Sequence, residues 1–342
     1  MSSLDIIVPC YRYGRYLHEC VTSLLTQSFR NFRIAIINDA SPDHTSEVAS
    51  NLVKQDSRVS YIEHSTNKGH IYTYNEGIEW VSSDYLLLLS ADDYLLPGAL
   101  QRAIAIMERH PEVGLTFGNA FEMDEQGRQT VTRCVACQNG ARVLSGLEFL
   151  SLSGARNIVP TPTAVVRTAL QKKVGGYRVE LPHSGDMELW FRLAAHSSVG
   201  FIPDPQAVYR RHANNMSLSY AGQAYLPDLA QRKAALKFFF ESCESLMPKP
   251  RQVRRRMLSS LAADAVGCAS TAFNSGNSRL MNDLLTFALE MSPSARFSPA
   301  WAKLACKRAV GLKVWQMLSS GRLLRATPCS PDPRDTVGES TQ

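Results

Sequence analysis

No stretch of the chain approaches the roughly 18–20 consecutive apolar residues of a membrane-spanning helix, and the opening MSSLDIIVPCYRYGRY has neither a basic leader nor a long apolar run. These absences predict a soluble protein located in the cytoplasm. Disulfide spacing is missing too: Cys10, Cys20, Cys134, Cys137, Cys243, Cys268, Cys306 and Cys329 are scattered, so reduced thiols are expected. Cys134-Val135-Ala136-Cys137 stands alone, and zinc would need two further ligands, so it reads as two ordinary thiols. No repeat recurs at a fixed period. What is present is ample core material: 342 residues that are 44% hydrophobic and 20% charged, which excludes disorder and collagen-like repeats.

Acidic residues become scarce in the second part of the chain. Residues 1–230 hold 20 basic and 23 acidic side chains, residues 231–325 hold 16 and 5, and the last 17 hold 1 and 3, within a net charge of +6. The sharp change predicts two units with different partners, the second facing something anionic.

The first part alternates short apolar strands with helical patterns. Leu4-Asp5-Ile6-Ile7-Val8 stops at Pro9, and Tyr16–Thr26 has Leu17, Val21, Leu24 and Leu25 at helical spacing. Phe32–Asp39 reads as a second strand, Thr45–Gln55 as a helix, Val59–Glu63 as a third strand and Tyr85–Leu89 as a fourth. Leu100–Arg109 reads as a helix, Val113–Phe121 as a strand, 122–141 as a polar excursion, the stretch from Asp186 as an amphipathic helix, and Val199–Pro203 as the beginning of a closing strand region. This order predicts an α/β fold: a Rossmann-like, mostly parallel sheet with helices on both faces, followed by a helical C-terminal region. The expected division is a catalytic-type α/β domain over 1–225, a basic helical region over 226–325 with breaks at 247–250, 274–277 and 292–299, and a disordered tail over 326–342. In open α/β sheets ligands sit beyond the carboxyl ends of the strands, so Pro9 to Tyr11, Asp39 and Asp92 are expected to converge on one crevice.

The strongest local signal is Ser90-Ala91-Asp92-Asp93 at the end of an apolar strand. Adjacent carboxylates repel, and a bound hard cation relieves that repulsion; taken alone, however, the pair is more often a capped turn. Asp39, in Ile37-Asn38-Asp39-Ala40-Ser41, also ends a strand, where it could accept from a base N–H or simply cap a turn.

Taken in order, these segments resemble the family 2 glycosyltransferases, inverting enzymes that use nucleotide-diphosphate sugars on a single GT-A-type domain. Ile7-Val8-Pro9-Cys10-Tyr11 resembles the opening strand and nucleotide loop, with Arg12 where the family usually has Asn. Ile37 to Asp43 resembles the second-strand motif whose Asp contacts the base. Asn67-Lys68-Gly69 and Tyr74-Asn75-Glu76-Gly77 resemble the glycine-bearing stretch and helix start that follow, with Thr73-Tyr74-Asn75 in place of Ala-Arg-Asn. The resemblance thus implies nucleotide contacts from Pro9, Tyr11, Asp39, Ser41, Asn67, Gly69 and Asn75. It implies that Asp92 is the metal-binding Asp of an Asp-x-Asp motif whose first member is Ser90 here, and that Asp93 holds the donor sugar. Ser184-Gly185-Asp186-Met187-Glu188-Leu189-Trp190 resembles the family's Glu-Asp-x-x-x-Trp segment, which makes Asp186 the general base, with Gly185 replacing Glu. An Asp in the first helical turn is favoured as the anion by the helix dipole, the state a base needs; its plainer reading is a helix cap with Trp190 in the core. Val208 to Ser217 resembles the closing segment, with His212 completing the metal shell or touching the diphosphate, and Arg210 or Arg211 neutralising phosphate charge.

The resemblance covers residues 3–220 and implies Mn2+ or Mg2+, a nucleotide-diphosphate sugar of the UDP type, a glycan or lipid-linked acceptor, and a role in bacterial surface polysaccharide synthesis. The rival reading is a noncatalytic nucleotide-sugar or glycan-binding protein on a degenerate transferase fold. A dinucleotide-binding dehydrogenase is a poor reading, with only Gly14 after the first strand, and no nucleic-acid module accompanies the basic region, so no nucleic-acid partner is expected. Lys249 to Arg256 and the Trp301 to Arg325 stretch are expected either to touch the inner face of a plasma membrane peripherally or to form a solvated basic face.

Overall fold

The computed structural model describes residues 2–132, 141–213, 215 and 225–320. Cys134, Cys137, Cys329, the closing-segment residues Asn214, Met216 and Ser217, and the 326–342 tail lie outside these residues. The five described cysteines are free thiols.

The chain divides into two compact units, Met1–Leu152 with Asn157–Ala213, and Ser153–Arg156 with Asn214–Gln342. The first opens with β1 (Leu4–Cys10), α1 (Gly14–Leu25), β2 (Phe32–Asn38), α2 (Thr45–Gln55), β3 (Val59–Glu63), α3 (His70–Trp80) and β4 (Tyr85–Leu88). It continues with β5 (Tyr94–Leu95), α4 (Ala99–Arg109), β6 (Val113–Met123), β7 (Gln129–Thr132), β8 (Arg142–Leu144) and α5 (Gly146–Ser153). A 3-10 turn at Thr161–Thr163, β9 (Val165–Arg167), α6 (Thr168–Val174), α7 (Gly185–His196) and β10 (Ser198–Arg210) complete it. The second unit is helical: α8 (Leu226–Cys243), α9 (Pro250–Asn274), α10 (Ser278–Met291), α11 (Pro299–Val310) and α12 (Leu312–Ser320). None of the described helices is long and apolar enough to cross a membrane.

The sheet order is β3-β2-β1-β4-β9-β6-β10-β5, with β7 on β6 and β8 on β10. The long pairings, β1 with β2 and β4, β2 with β3, and β6 with β10, are parallel; short β5, β7, β8 and β9 pair antiparallel. The mostly parallel sheet expected from buried apolar strands is thus present. The chain runs outward from β1 to β3 and returns on the other side at β4, so connections part at the carboxyl ends of β1 and β4 and leave a crevice there. Buried side chains of β1, β2, β4, α1 and α4 form the core beneath it.

β1 and α7 differ from the sequence expectation, and the closing strand is bent. β1 runs through Pro9 to Cys10, because Pro9 pairs at the strand end through its carbonyl, which accepts from Ala91 N at 3.2 Å. The closing strand continues past Pro203 to Arg210; its register against β6 slips between Ile202 and Pro205 and again before Ala207, where two prolines lack ladder donors. α7 is buried on all sides rather than amphipathic, with Glu188 and Arg192 inside as a pair at 2.8 Å. Close packing also fixes α3 on the sheet, since a Cβ at Gly77 would lie 2.4 Å from Ile7 Cγ2.

Candidate active site

Asp39 leaves the end of β2 and is buried, with its carboxylate occupied by the following loop. Oδ1 accepts from Lys68 N (2.7 Å), Oδ2 accepts from Gly69 N (2.9 Å), and Asn67 Nδ2 donates to the Asp39 carbonyl (3.2 Å). Gly69 has φ +87, which admits glycine freely and few other residues, so the loop can turn its amides onto the carboxylate. The buried His64 ring places Nδ1 2.7 Å from Asp39 Oδ1 and Nε2 2.5 Å from Glu76 Oε2 on α3. Asp39, Asn67 and Gly69 therefore stand together as expected, with Asp39 organising the loop. His64 was missed in the sequence; its one signal is a histidine directly after the apolar strand β3.

The β1 loop faces this one. Ser41 Oγ accepts from Arg12 N (3.0 Å) and Asn38 Oδ1 accepts from Ser41 N (2.9 Å), which ties the ends of β1 and β2 together. Tyr11 is 39% exposed, whereas Pro9 is buried in β1. Arg12 and Ala40 both have positive φ, 64° and 54°, so both loops turn through the left-handed region.

Asp92 and His212 meet although they are far apart in the chain: His212 Nε2 lies 3.1 Å from Asp92 Oδ2, and both residues are buried. Tyr16 stacks on the His212 ring at 5.3 Å, and Tyr13 meets it edge-on at 5.5 Å. Burial and the Asp92 charge push the Tyr13 phenol up, and burial pushes the Cys10 thiol up to about 12, so both stay neutral beside the site. Among the described residues no group of three or more His, Cys, Asp or Glu side chains is placed to hold a metal ion.

Asp93 and Arg210 form the frame around this pair. Asp93 is buried and its Oδ1 accepts from Arg210 N at 3.0 Å; burial first, then the Asp92 charge, raises its carboxyl well above the usual range. Asp93 thus holds the end of β10. Arg210 Nη1 donates to the Asp92 carbonyl (2.7 Å), Nη2 pairs with Glu19, and the guanidinium lies 4.9 Å from the Tyr16 and Tyr94 ring centres. Arg211 pairs with Glu122 at 3.3 Å.

Asp186, in the first turn of α7, is partly exposed. Its Oδ2 accepts from Thr161 Oγ1 (2.9 Å) and its carboxylate also accepts from the Tyr177 hydroxyl. Burial raises its carboxyl above the usual value, and the Thr161 and Tyr177 hydrogen bonds oppose the rise without cancelling it. The dipole expectation is thus corrected in sign: loss of water outweighs the helix end. Asn75 positions Tyr177, donating from Nδ2 to its carbonyl (2.9 Å) and accepting from its N at Oδ1 (2.7 Å). Tyr74 feels the charges of both Asp186 and Asp92, and burial with those charges pushes its phenol well up. A neutral phenol thus stands near enough to both Asp186 and Asp92 to feel their charges.

Residues 5–167 match the family model for glycosyl transferase family 2. Residues 5–167 thus form a glycosyltransferase family 2 domain. A glycosyltransferase of Haemophilus influenzae is 32% identical over 129 residues, 38% of this chain and 51% of its own length. Glycosyltransferase GlyG of Streptococcus pneumoniae is 29% identical over 127 residues, 36% of this chain and 42% of its own. The chain thus spans about half the length of these curated relatives. Among solved structures, TarS 1-349 of S. aureus in complex with UDP-GlcNAc shares the fold at TM-score 0.58 and 15% identity, over 86% of this chain and 92% of that one. The mannosyltransferase PcManGT of Pyrobaculum calidifontis, in complex with GDP-Man and Mn2+, shares it at TM-score 0.53 and 14% identity, over 93% of this chain and 84% of that one. The family 2 domain therefore carries the GT-A architecture, with its crevice at the carboxyl ends of β1, β2 and β4.

Proposed function

We propose that the chain is an inverting, metal-dependent glycosyltransferase that moves a sugar from a nucleotide-diphosphate donor of the UDP type to a glycan or lipid-linked acceptor in bacterial surface polysaccharide synthesis. The observation that carries this reading is the buried Asp92–His212 pair beyond the end of β4, with Asp186, held by Thr161 at 2.9 Å, near enough that one phenol, Tyr74, feels the charges of both Asp186 and Asp92.

Asp92 and His212 offer an oxygen and a nitrogen donor, 3.1 Å apart and buried, which suits Mn2+ or Mg2+. Two protein donors leave a shell that donor phosphates would complete. When bound, such a cation supplies Lewis-acid stabilisation of the departing diphosphate. The chain's own residues do the rest. The loops at 9–12 and 39–41, braced through Ser41, receive the nucleotide, with exposed Tyr11 offering its ring. Asp186 takes the proton from the acceptor hydroxyl as that oxygen bonds to the anomeric carbon; the bond to the nucleotide oxygen breaks with its electron pair, and one displacement inverts the centre.

A hydrolysis screen over UDP-, GDP- and dTDP-sugars with manganese tests this. Hydrolysis of one donor by the intact protein, abolished in Asp92→Ala and reduced by about a hundredfold or more in Asp186→Asn, is the expected result. Donor binding without turnover would favour the noncatalytic reading that Arg12, Ser90 and Gly185 suggest.

A further inference from the structure

Between Met291 and Pro331 the sequence has no Asp or Glu but seven Lys and Arg. Within this span α11 is anchored by two buried side chains, Leu304 and Lys307. Lys307 Nζ donates to Ser270 Oγ (2.8 Å) and Asn274 Oδ1 (3.2 Å) on α9 and lies 5.1 Å from the Trp315 ring centre. With that face turned inward, helical periodicity turns Ala302, Ala305, Cys306 and Ala309 outward, and all four are exposed. A surface helix ordinarily puts charged and polar residues there; this one puts none. The apolar surface extends through Phe297, 78% exposed, Val314 and Met317, 73% exposed. Exposed Lys303 and Arg308 fall on either side of the α11 stripe, and exposed Lys313 follows on α12.

We propose that this face, residues 297–317, is a docking surface for an anionic lipid bilayer. The charge decides the partner. A face that joins exposed apolar side chains to cations, in a span without a single carboxylate, matches the boundary between acyl chains and negative headgroups, where apolar residues enter shallowly and Lys and Arg stay at the phosphates. The small Ala and Cys side chains let the helix axis lie close to that boundary, with Phe297 and Met317 as the deeper inserts. The inference rests on the second unit alone and is independent of the catalytic reading.

Co-sedimentation of the full-length protein with vesicles of mixed phosphatidylglycerol and phosphatidylcholine, against pure phosphatidylcholine, tests it. The protein is expected to pellet with the first and not the second, and less at high salt. Phe297→Ser with Met317→Ser, and separately Arg308→Gln with Lys313→Gln, are each expected to lower partitioning by roughly tenfold or more. Because these side chains are exposed, thermal melts by circular dichroism should be unchanged, which separates lost docking from lost folding. Failure to pellet with phosphatidylglycerol vesicles overturns the proposal. So does binding to phosphatidylglycerol and to RNA alike that ignores the apolar pair, which would mark a general polyanion surface. A dimer in sedimentation equilibrium that dissociates in the Phe297→Ser, Met317→Ser variant would also overturn it, by assigning the face to a second copy of the chain.

Discussion

At the scale of single residues, the candidate site is governed by what surrounds each carboxylate. Asp93 and Asp92 are neighbours in sequence, yet one is enclosed against Arg210 N and the other faces His212. Asp186 gives a pH prediction with a definite sign. Burial raises its carboxyl and the Thr161 and Tyr177 hydrogen bonds lower it, and the base must be ionised to act. The acid limb of the pH–kcat profile should therefore lie above the ordinary carboxylate range and move to still higher pH in Thr161→Val or Tyr177→Phe; an unmoved limb in both would remove Asp186 as the base. Arg12 offers a stability test. Its φ of 64° is a left-handed conformation that costs an ordinary residue about 1–2 kcal/mol and that Asn tolerates better. Arg12→Asn is expected to raise stability by about 0.5–1 kcal/mol in urea unfolding.

At the scale of elements, strands and helices are fixed by pairings that lie away from the crevice. Asp5 at the start of β1 is fully buried and accepts from Arg33 Nε (2.9 Å) and Nη2 (2.7 Å) on β2 and from Ser82 N (2.8 Å) and Ser83 N (3.0 Å) after α3. Burial alone would raise its carboxyl, but these donors together hold it below its usual 3.8. A depressed folded-state value contributes stability that is present above the unfolded value and lost as pH falls through the folded one, here below about pH 4. Asp5→Asn should lower neutral-pH stability by about 2 kcal/mol and flatten the acid side of the stability profile. Thermal melts across the acid range measure both. The Asn75–Tyr177 link joins α3 to the segment before α7 in the same way. Asn75→Ala is therefore expected to lower kcat through a misplaced Tyr177 more than it raises the donor KM; the reverse split would assign Asn75 to nucleotide binding.

At the scale of the whole molecule, the meeting of Asp92 and His212, the proposed cation site, depends on the bend of β10. The register slips around Pro203 and Pro205 let the strand continue to Arg210 and deliver His212 to Asp92. With two protein donors, Mn2+ affinity measured by calorimetry should be weak alone and rise sharply with UDP. In His212→Ala the UDP-dependent affinity should fall by roughly tenfold or more, each tenfold being about 1.4 kcal/mol. Equal Mn2+ affinity with and without nucleotide would count against the site.

The sequence by itself determined the alternation of β1, α1, β2, α2 and β3, because runs of apolar β-branched residues and helical spacing are local signals. It also determined the break points of the basic helices, where Pro and Gly punctuate the pattern. It placed Asp39, Asp92 and Asp186 at element ends, since motifs of that kind follow the strand-to-loop transitions that build a crevice. Tertiary structure alone decided which carboxylates face the crevice, because a side chain's hydrogen-bond partners come from distant strands. Asp93 meets Arg210, Asn75 meets Tyr177, and His64 lies between Asp39 and Glu76. None of these pairings leaves a periodic trace. It also decided the outward face of α11, since the inward turn of Leu304 and Lys307 depends on where α9 lies and not on the local pattern of the helix.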